Sequence, residues 1–154
     1  MERMEFALQE IKFAAGDSGS FSGYGAVFGN TDSYGDVIQA GAFGESLRKS
    51  KTSGQWPAML SQHGGFLGGA DDMMPIGVWT DMAEDGKGLW VEGKFAPTPR
   101  GQEAYALLKM TPRPALNGLS IGFQAKEYVM GTKPSEPRRT LKNIDLIEVS
   151  LVTN

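Results

Sequence analysis

Short segments with alternating hydrophobic and polar positions dominate the chain. Met4, Phe6 and Leu8 alternate with polar or small residues, which is the two-residue period of a half-buried strand. The step Asp85-Gly86 between two such segments predicts a hairpin. Further extended segments are predicted at residues 21–28, 36–38, 57–62, 76–82, 89–95, 119–129 and 144–153. We therefore expect seven or so short strands.

Only two segments favour a helix. Phe43 and Leu47 stand four residues apart in a short amphipathic segment that should end near Lys49. Thr98 suits the N-cap of a second helix, and Pro99 suits its first residue. Many strands and few helices predict a mainly β fold, a β-barrel with a few short helices, with a compact α+β domain as the alternative.

The domain organisation follows from the length of the chain. A chain of 154 residues suits one domain, so we expect residues 1–154 to form a single domain. Residues 131–142 are polar and contain two prolines and the pair Arg138-Arg139, which predicts a flexible loop. Glycine is over-represented, with 21 residues, and indicates many tight turns between short strands.

Composition then narrows the classes of function. The 15 Lys and Arg against 18 Asp and Glu give a net charge of −3, which argues against nucleic-acid binding. The absence of cysteine excludes disulfides, thiol nucleophiles and thiolate metal sites, and a single histidine disfavours zinc. No apolar run approaches the ~18 residues of a membrane span, and the N-terminus lacks a secretory signal. We expect a soluble cytosolic protein with no cofactor, no nucleic-acid partner and no membrane partner.

Two side chains suit proton transfer and nucleophilic attack. His63 is the only side chain whose ordinary pKa lies near neutrality, and it emerges from a predicted strand beside a glycine-rich stretch. Ser120 alternates with Leu119 and Ile121, so it should lie on the face opposite the apolar stripe, next to glycines. Each also has a structural interpretation, namely a surface or capping histidine and a strand serine bonded to the backbone.

Glu148 lies in a predicted strand that is largely apolar on both faces. Alternation predicts that one face carries Ile144, Leu146, Glu148, Ser150 and Val152. An ionised carboxylate in such surroundings needs a partner. The candidates are His63 and, about equally, a salt bridge to Arg or Lys.

Taken together, these segments resemble the HK97-type prohead proteases of tailed phages. The resemblance is carried, in order and spacing, by residues 25–28, Asp32, residues 35–38 and 41–43, Gln62-His63, residues 118–123 and residues 148–153. It implies a serine endopeptidase with a herpesvirus-protease-like β-barrel. Such an enzyme acts inside the assembling prohead in the host cytoplasm, on scaffold protein, on the N-terminal segment of the capsid protein and often on itself.

The resemblance also implies roles for individual residues. Ser120 would be the nucleophile and His63 the general base. The herpesvirus enzymes use a second histidine as the third member, and this chain has none. Glu148 is therefore the candidate acid, and without it the site would be a Ser–His dyad. From the residues themselves, the candidate oxyanion donors are either backbone amides around residues 118–122 or the Arg138-Arg139 loop.

Other outcomes stay open at this point. The rival function is a non-catalytic capsid-assembly or scaffold-binding β-barrel protein. Scaffold or capsid protein is the expected partner under either function, and a homo-oligomer is compatible with both. Members of the family usually continue past the last shared segment, so we expect any C-terminal scaffold-binding segment to lie beyond residue 154.

Overall fold

The computed structural model describes residues 1–16, 18–61 and 74–153. Within these ranges the chain forms nine strands and two helices, and the expected mainly β fold with few helices is confirmed. The strands are β1 (Glu2–Ala7), β2 (Gln9–Phe13), β3 (Ser20–Val27), β4 (Asp36–Ile38), β5 (Ala58–Ser61), β6 (Gly77–Glu84), β7 (Gly88–Phe95), β8 (Gly118–Met130) and β9 (Arg139–Val152). The helices are α1 (Gly44–Ser53) and α2 (Pro99–Leu108).

All nine strands belong to one sheet. Eight of them follow the order β1-β8-β9-β5-β6-β7-β3-β2, and β4 pairs with β9. Strand β9 is antiparallel to β8 and parallel to β4 and β5. The sheet curls into a half-barrel in which β1 contacts β3, and the hydrophobic core fills the inside of the curl.

The helices of the described ranges are short. Each contains ten residues, about half of what a bilayer-spanning helix needs, and neither could cross a membrane. Helix α1 packs against β9, and α2 packs against β7. Both helices therefore serve as supports for the sheet.

Two local sequence signals act as predicted. The Thr98 hydroxyl accepts a hydrogen bond from the Gly101 amide at 3.1 Å and so caps the N-terminus of α2. The Asp85 carboxylate accepts from the amides of Lys87 and Gly88, at 2.8 and 3.1 Å, and closes the hairpin between β6 and β7. Such signals are readable from the sequence because both partners lie within three residues of each other.

Three segments differ from the sequence prediction. Helix α1 continues past Lys49 to Ser53, and β2 is an additional strand that the pattern did not indicate. The predicted loop over residues 131–142 is shorter, because β9 begins at Arg139. The first residues of β9 pair in parallel with β4, and the buried Arg139 forms ion pairs that compensate its charge. Polar sequence can thus form an interior strand where neighbouring strands supply the opposite charge.

Candidate active site

Ser120 lies on β8, an interior strand between β1 and β9. It stands opposite Glu5 of β1 and Ser150 of β9. Its side chain is fully buried, and within the described ranges its Oγ has no hydrogen-bond partner. Buried hydroxyl groups are normally hydrogen-bonded, so this one is available for another interaction.

The alternation around Ser120 follows the sequence prediction. Leu119 and Ile121 are fully buried members of the hydrophobic core. Because side chains alternate along a strand, Ser120 faces the opposite side of the sheet. Ser150 shares that side, since residues paired across neighbouring strands point the same way.

Glu148 is buried on β9, with two partners among the described residues. Its Oε2 accepts a hydrogen bond from the Ser150 hydroxyl at 2.7 Å. Its Oε1 lies 3.3 Å from Nη1 of Arg3 on β1. The salt bridge that the sequence left open as an alternative is therefore present.

The predicted face of β9 is wrong in its first half because of a β-bulge. The pairing with β8 skips Ile147, which is exposed. Ile144 and Leu146 consequently pack towards the core, whereas Glu148 and Ser150 lie on the other side of the sheet. A bulge adds one residue and reverses the alternation on either side of it.

The sheet register brings Ser120 and Glu148 close together. Glu148 pairs with Gly122, so it is the diagonal neighbour of Ser120, at roughly 7–8 Å between Cα atoms. On the other side of β9, Leu60 of β5 pairs with Ser150. His63, the predicted general base, lies outside the described residues; it follows Ser61, the last residue of β5, by two positions.

Three residues near Glu148 have contacts that were not predicted from the sequence. Ser150 was placed on the same face as Glu148, and a serine two positions from a buried carboxylate is a signal that could have been used. Arg3 carries no local signal, because its contact joins the two ends of the chain. Gly122 leaves room for the carboxylate, since a Cβ there would lie 3.1 Å from Oε1 of Glu148.

The Arg138-Arg139 pair has a different role from the one suggested for it. Arg139 forms ion pairs with Glu2 and Asp36, and Arg138 pairs with Asp36 at 2.7 Å. The hydrogen bonds that Arg139 donates to Glu2 are the main reason why the pKa of Arg139 is raised. These guanidinium groups are bound to carboxylates that join β1, β4 and β9, so they are not free oxyanion donors.

A pocket of about 180 Å³ opens beside the end of β5, between α2 and the end of β9. Its walls include Ser61, Ala104, Leu116 and Thr153. Ser61 is the last residue of β5, and Leu116 precedes the start of β8 by two residues. No group of three or more His, Asp or Glu side chains that could hold a metal ion occurs in the described part of the chain.

Comparisons with known proteins agree on one kind of relative. A family model described as the caudovirus prohead serine protease matches residues 5–154. The prohead protease of Enterobacteria phage HK97 is 34% identical over 155 residues, which cover 99% of this chain and 63% of that protein. The chain thus spans less than two thirds of the length of this relative. Among solved structures, the capsid assembly protease of bacteriophage T4 matches with a TM-score of 0.70 at 12% identity, covering 99% of this chain and 96% of that one, which shows a shared fold.

Proposed function

Since the chain belongs to the caudovirus prohead serine protease family, we propose that it is a serine endopeptidase with Ser120 as its nucleophile. The observation that carries this assignment is the buried Ser120 hydroxyl, which has no hydrogen-bond partner in the described ranges and lies diagonal to a buried carboxylate. A serine that only stabilised the sheet would use its hydroxyl in a hydrogen bond.

The proposed substrates are proteins of the immature capsid. The HK97 relative is named a prohead protease, and the T4 structure is titled a capsid assembly protease. By that likeness the chain would cleave scaffold protein, the N-terminal segment of the capsid protein, or its own precursor. It would act inside the assembling prohead of an infected cell.

The proposed mechanism uses His63 between Ser120 and Glu148. The neutral imidazole of His63 removes the proton from Ser120 Oγ as Oγ forms a bond to the scissile carbonyl carbon. The imidazolium then returns the proton to the leaving amine as the C–N bond breaks. Water hydrolyses the acyl-enzyme in a second, mirrored step, and the Glu148 carboxylate keeps the imidazole in the tautomer that accepts from serine.

The sheet geometry supports these roles. Ser120 and Glu148 are diagonal neighbours on one side of the sheet, and no direct hydrogen bond joins them. Leu60, Ser150 and Ser120 form a row across β5, β9 and β8, with neighbouring strands about 4.8 Å apart. The two residues from Ser61 to His63 can span up to about 7 Å. The chain length after β5 is therefore sufficient for His63 to approach Ser120.

The test of this function is covalent labelling with a serine-reactive phosphonate. We expect one label per wild-type chain, located by mass spectrometry of peptides on Ser120, and no label on Ser120→Ala. Ser22→Ala, which removes a hydroxyl from β3 at a position that pairs with β2 and β7, is the matched control and should label like the wild type.

Two outcomes would contradict the proposal. A label on Ser150 would assign the nucleophile to the serine that is bonded to Glu148. A folded wild-type chain that takes no label would favour the non-catalytic capsid-assembly protein, in which the Glu148 contacts with Ser150 and Arg3 serve only stability.

A further inference from the structure

The two carboxylate oxygens of Glu148 have different surroundings. Oε2 is occupied by the hydrogen bond from Ser150 Oγ at 2.7 Å. Oε1 is buried and accepts no hydrogen bond from any residue of the described ranges. A carboxylate held in this way has one anchored oxygen and one oxygen with unused acceptor capacity.

Gly122 provides the space for the second oxygen. It pairs with Glu148 across β8 and β9. A methyl group at this position would lie 3.1 Å from Oε1, which is closer than ordinary van der Waals contact. Glycine therefore allows Oε1 to lie over β8, the strand that carries Ser120 two residues earlier.

Arg3 compensates the charge of the buried carboxylate. Its Nη1 lies 3.3 Å from Oε1 in an ion pair that does not have hydrogen-bond geometry. A buried carboxylate without a nearby cation would be costly. Arg3 thus compensates the carboxylate charge and leaves the hydrogen-bond acceptor capacity of Oε1 unused among the described residues.

We propose that Ser150 is a positioning residue of the protease site: its hydroxyl anchors Oε2 of Glu148, so that Oε1 remains available to the ring N–H of the general base. This inference rests on the proposed function, because it needs Glu148 to act through an imidazole. Its physical basis is that an acid holds an imidazole in place only when its own side chain is fixed.

The test is a double-mutant cycle on Ser150 and Glu148, measured as kcat and KM on one peptide substrate. Ser150→Ala should lower kcat by about 10–100-fold, the usual effect of a small misplacement, and should leave KM within about 3-fold. Glu148→Gln should lower kcat by about 10²–10⁴-fold. In the double variant, Ser150→Ala should add no further loss beyond about 2-fold, because a hydroxyl that acts through Glu148 has nothing left to position.

Controls separate this role from simple stabilisation. Ser22→Ala removes a strand hydroxyl at a position that pairs with β2 and β7, not with β8 or β9, and should leave kcat unchanged. Ser150→Thr keeps the hydroxyl and should recover most of the kcat lost in Ser150→Ala. If Ser150→Ala does not fold, the cycle is repeated with Ser150→Cys, which keeps the side chain but donates only a weak hydrogen bond and should show the same non-additive loss with Glu148→Gln.

The inference and the proposed function fail in different ways. Wild-type kcat in Ser150→Ala, or losses that multiply in the double variant, would overturn the positioning role while Ser120→Ala stays inactive. Cleavage by Ser120→Ala at a normal rate would instead overturn the proposed function itself.

Discussion

Replacement of Arg139 tests how β1 is held beside the strand that carries Ser120. The Arg139 side chain is 9% exposed, and its guanidinium donates to Glu2 of β1 at 2.5 and 3.2 Å and to Asp36 of β4 at 2.9 Å. The guanidinium carbon Cζ of Arg139 lies 5.2 Å from the centre of the Tyr128 ring. Arg139→Met keeps much of the apolar length and removes every charged contact.

The magnitude follows from what each partner loses. Removing one member of a buried ion pair usually costs about 3–5 kcal/mol, because the other charge is left without compensation. Two features reduce the cost here: Asp36 keeps Arg138 at 2.7 Å, and the Glu2 side chain is 45% exposed and can be hydrated. We therefore expect Arg139→Met to lower the free energy of unfolding by about 2–3 kcal/mol, just below that range.

Urea denaturation followed by circular dichroism measures this difference. The midpoint should fall while the slope with denaturant stays the same, which would show that the denatured state has not changed. Arg138→Met is the matched control: half of its side chain is exposed, so the loss should be about 1 kcal/mol or less. An Arg139→Met variant as stable as Arg138→Met would refute the conclusion that this ion-pair cluster holds β1 in place.

Three further predictions use residues outside that cluster. Gly88→Ala should lower the free energy of unfolding by about 2–3 kcal/mol, because its methyl group would lie 1.9 Å from a backbone carbonyl oxygen of β3. Gly86→Ala in the same hairpin has open space around the methyl group, so the same urea assay should show almost no change in stability. The hydrogen bond from the Tyr24 hydroxyl to Asp85 raises the pKa of Tyr24 to about 12 and lowers the pKa of Asp85 below its ordinary 3.8. A carboxyl whose pKa is lowered by folding stabilises the protein at pH values above its unfolded pKa, so the stability difference between wild type and Tyr24→Phe should be present at pH 7 and shrink as the pH falls below about 3.8. A constant difference from pH 7 to pH 2 would contradict this prediction. The kcat/KM of the wild type should rise with pH as a single group with a pKa within about one unit of 6.5 loses its proton. His63→Ala should remove both the activity and this rise. A flat pH profile from pH 5 to 8 would show that another residue is the general base.

The parts of the fold that were predictable from sequence are those set by neighbours in the chain. The Thr98 cap, the Asp85 turn and the alternation around Ser120 each depend on residues within about three positions. Their physical causes are hydrogen bonds and burial that act locally. The mainly β architecture follows from the sum of such segments.

The parts that were not predictable depend on contacts between distant segments. The bulge at Ile147 follows from how β8 and β9 pair, and no residue type marks it in the sequence. The Arg3 contact with Glu148 joins strands from opposite ends of the chain. Strand β9 extends to Arg139, into a segment that was predicted to be a loop. The ion-pair partners of Arg139, Glu2 and Asp36, lie over 100 residues earlier in the chain, so no local signal indicates this extension.

The most direct test of the central claim is the rate at which Ser120→Ala cleaves the proposed substrate, a capsid-protein or scaffold precursor. The variant should fold like the wild type, because its hydroxyl has no hydrogen bond to lose among the described residues, and this is checked by its melting temperature. Its cleavage rate should be about 10⁴–10⁶-fold below that of the wild type, the loss expected when a serine nucleophile is removed. Cleavage of the precursor by folded Ser120→Ala at a rate near that of the wild type would contradict the assignment of Ser120 as the nucleophile.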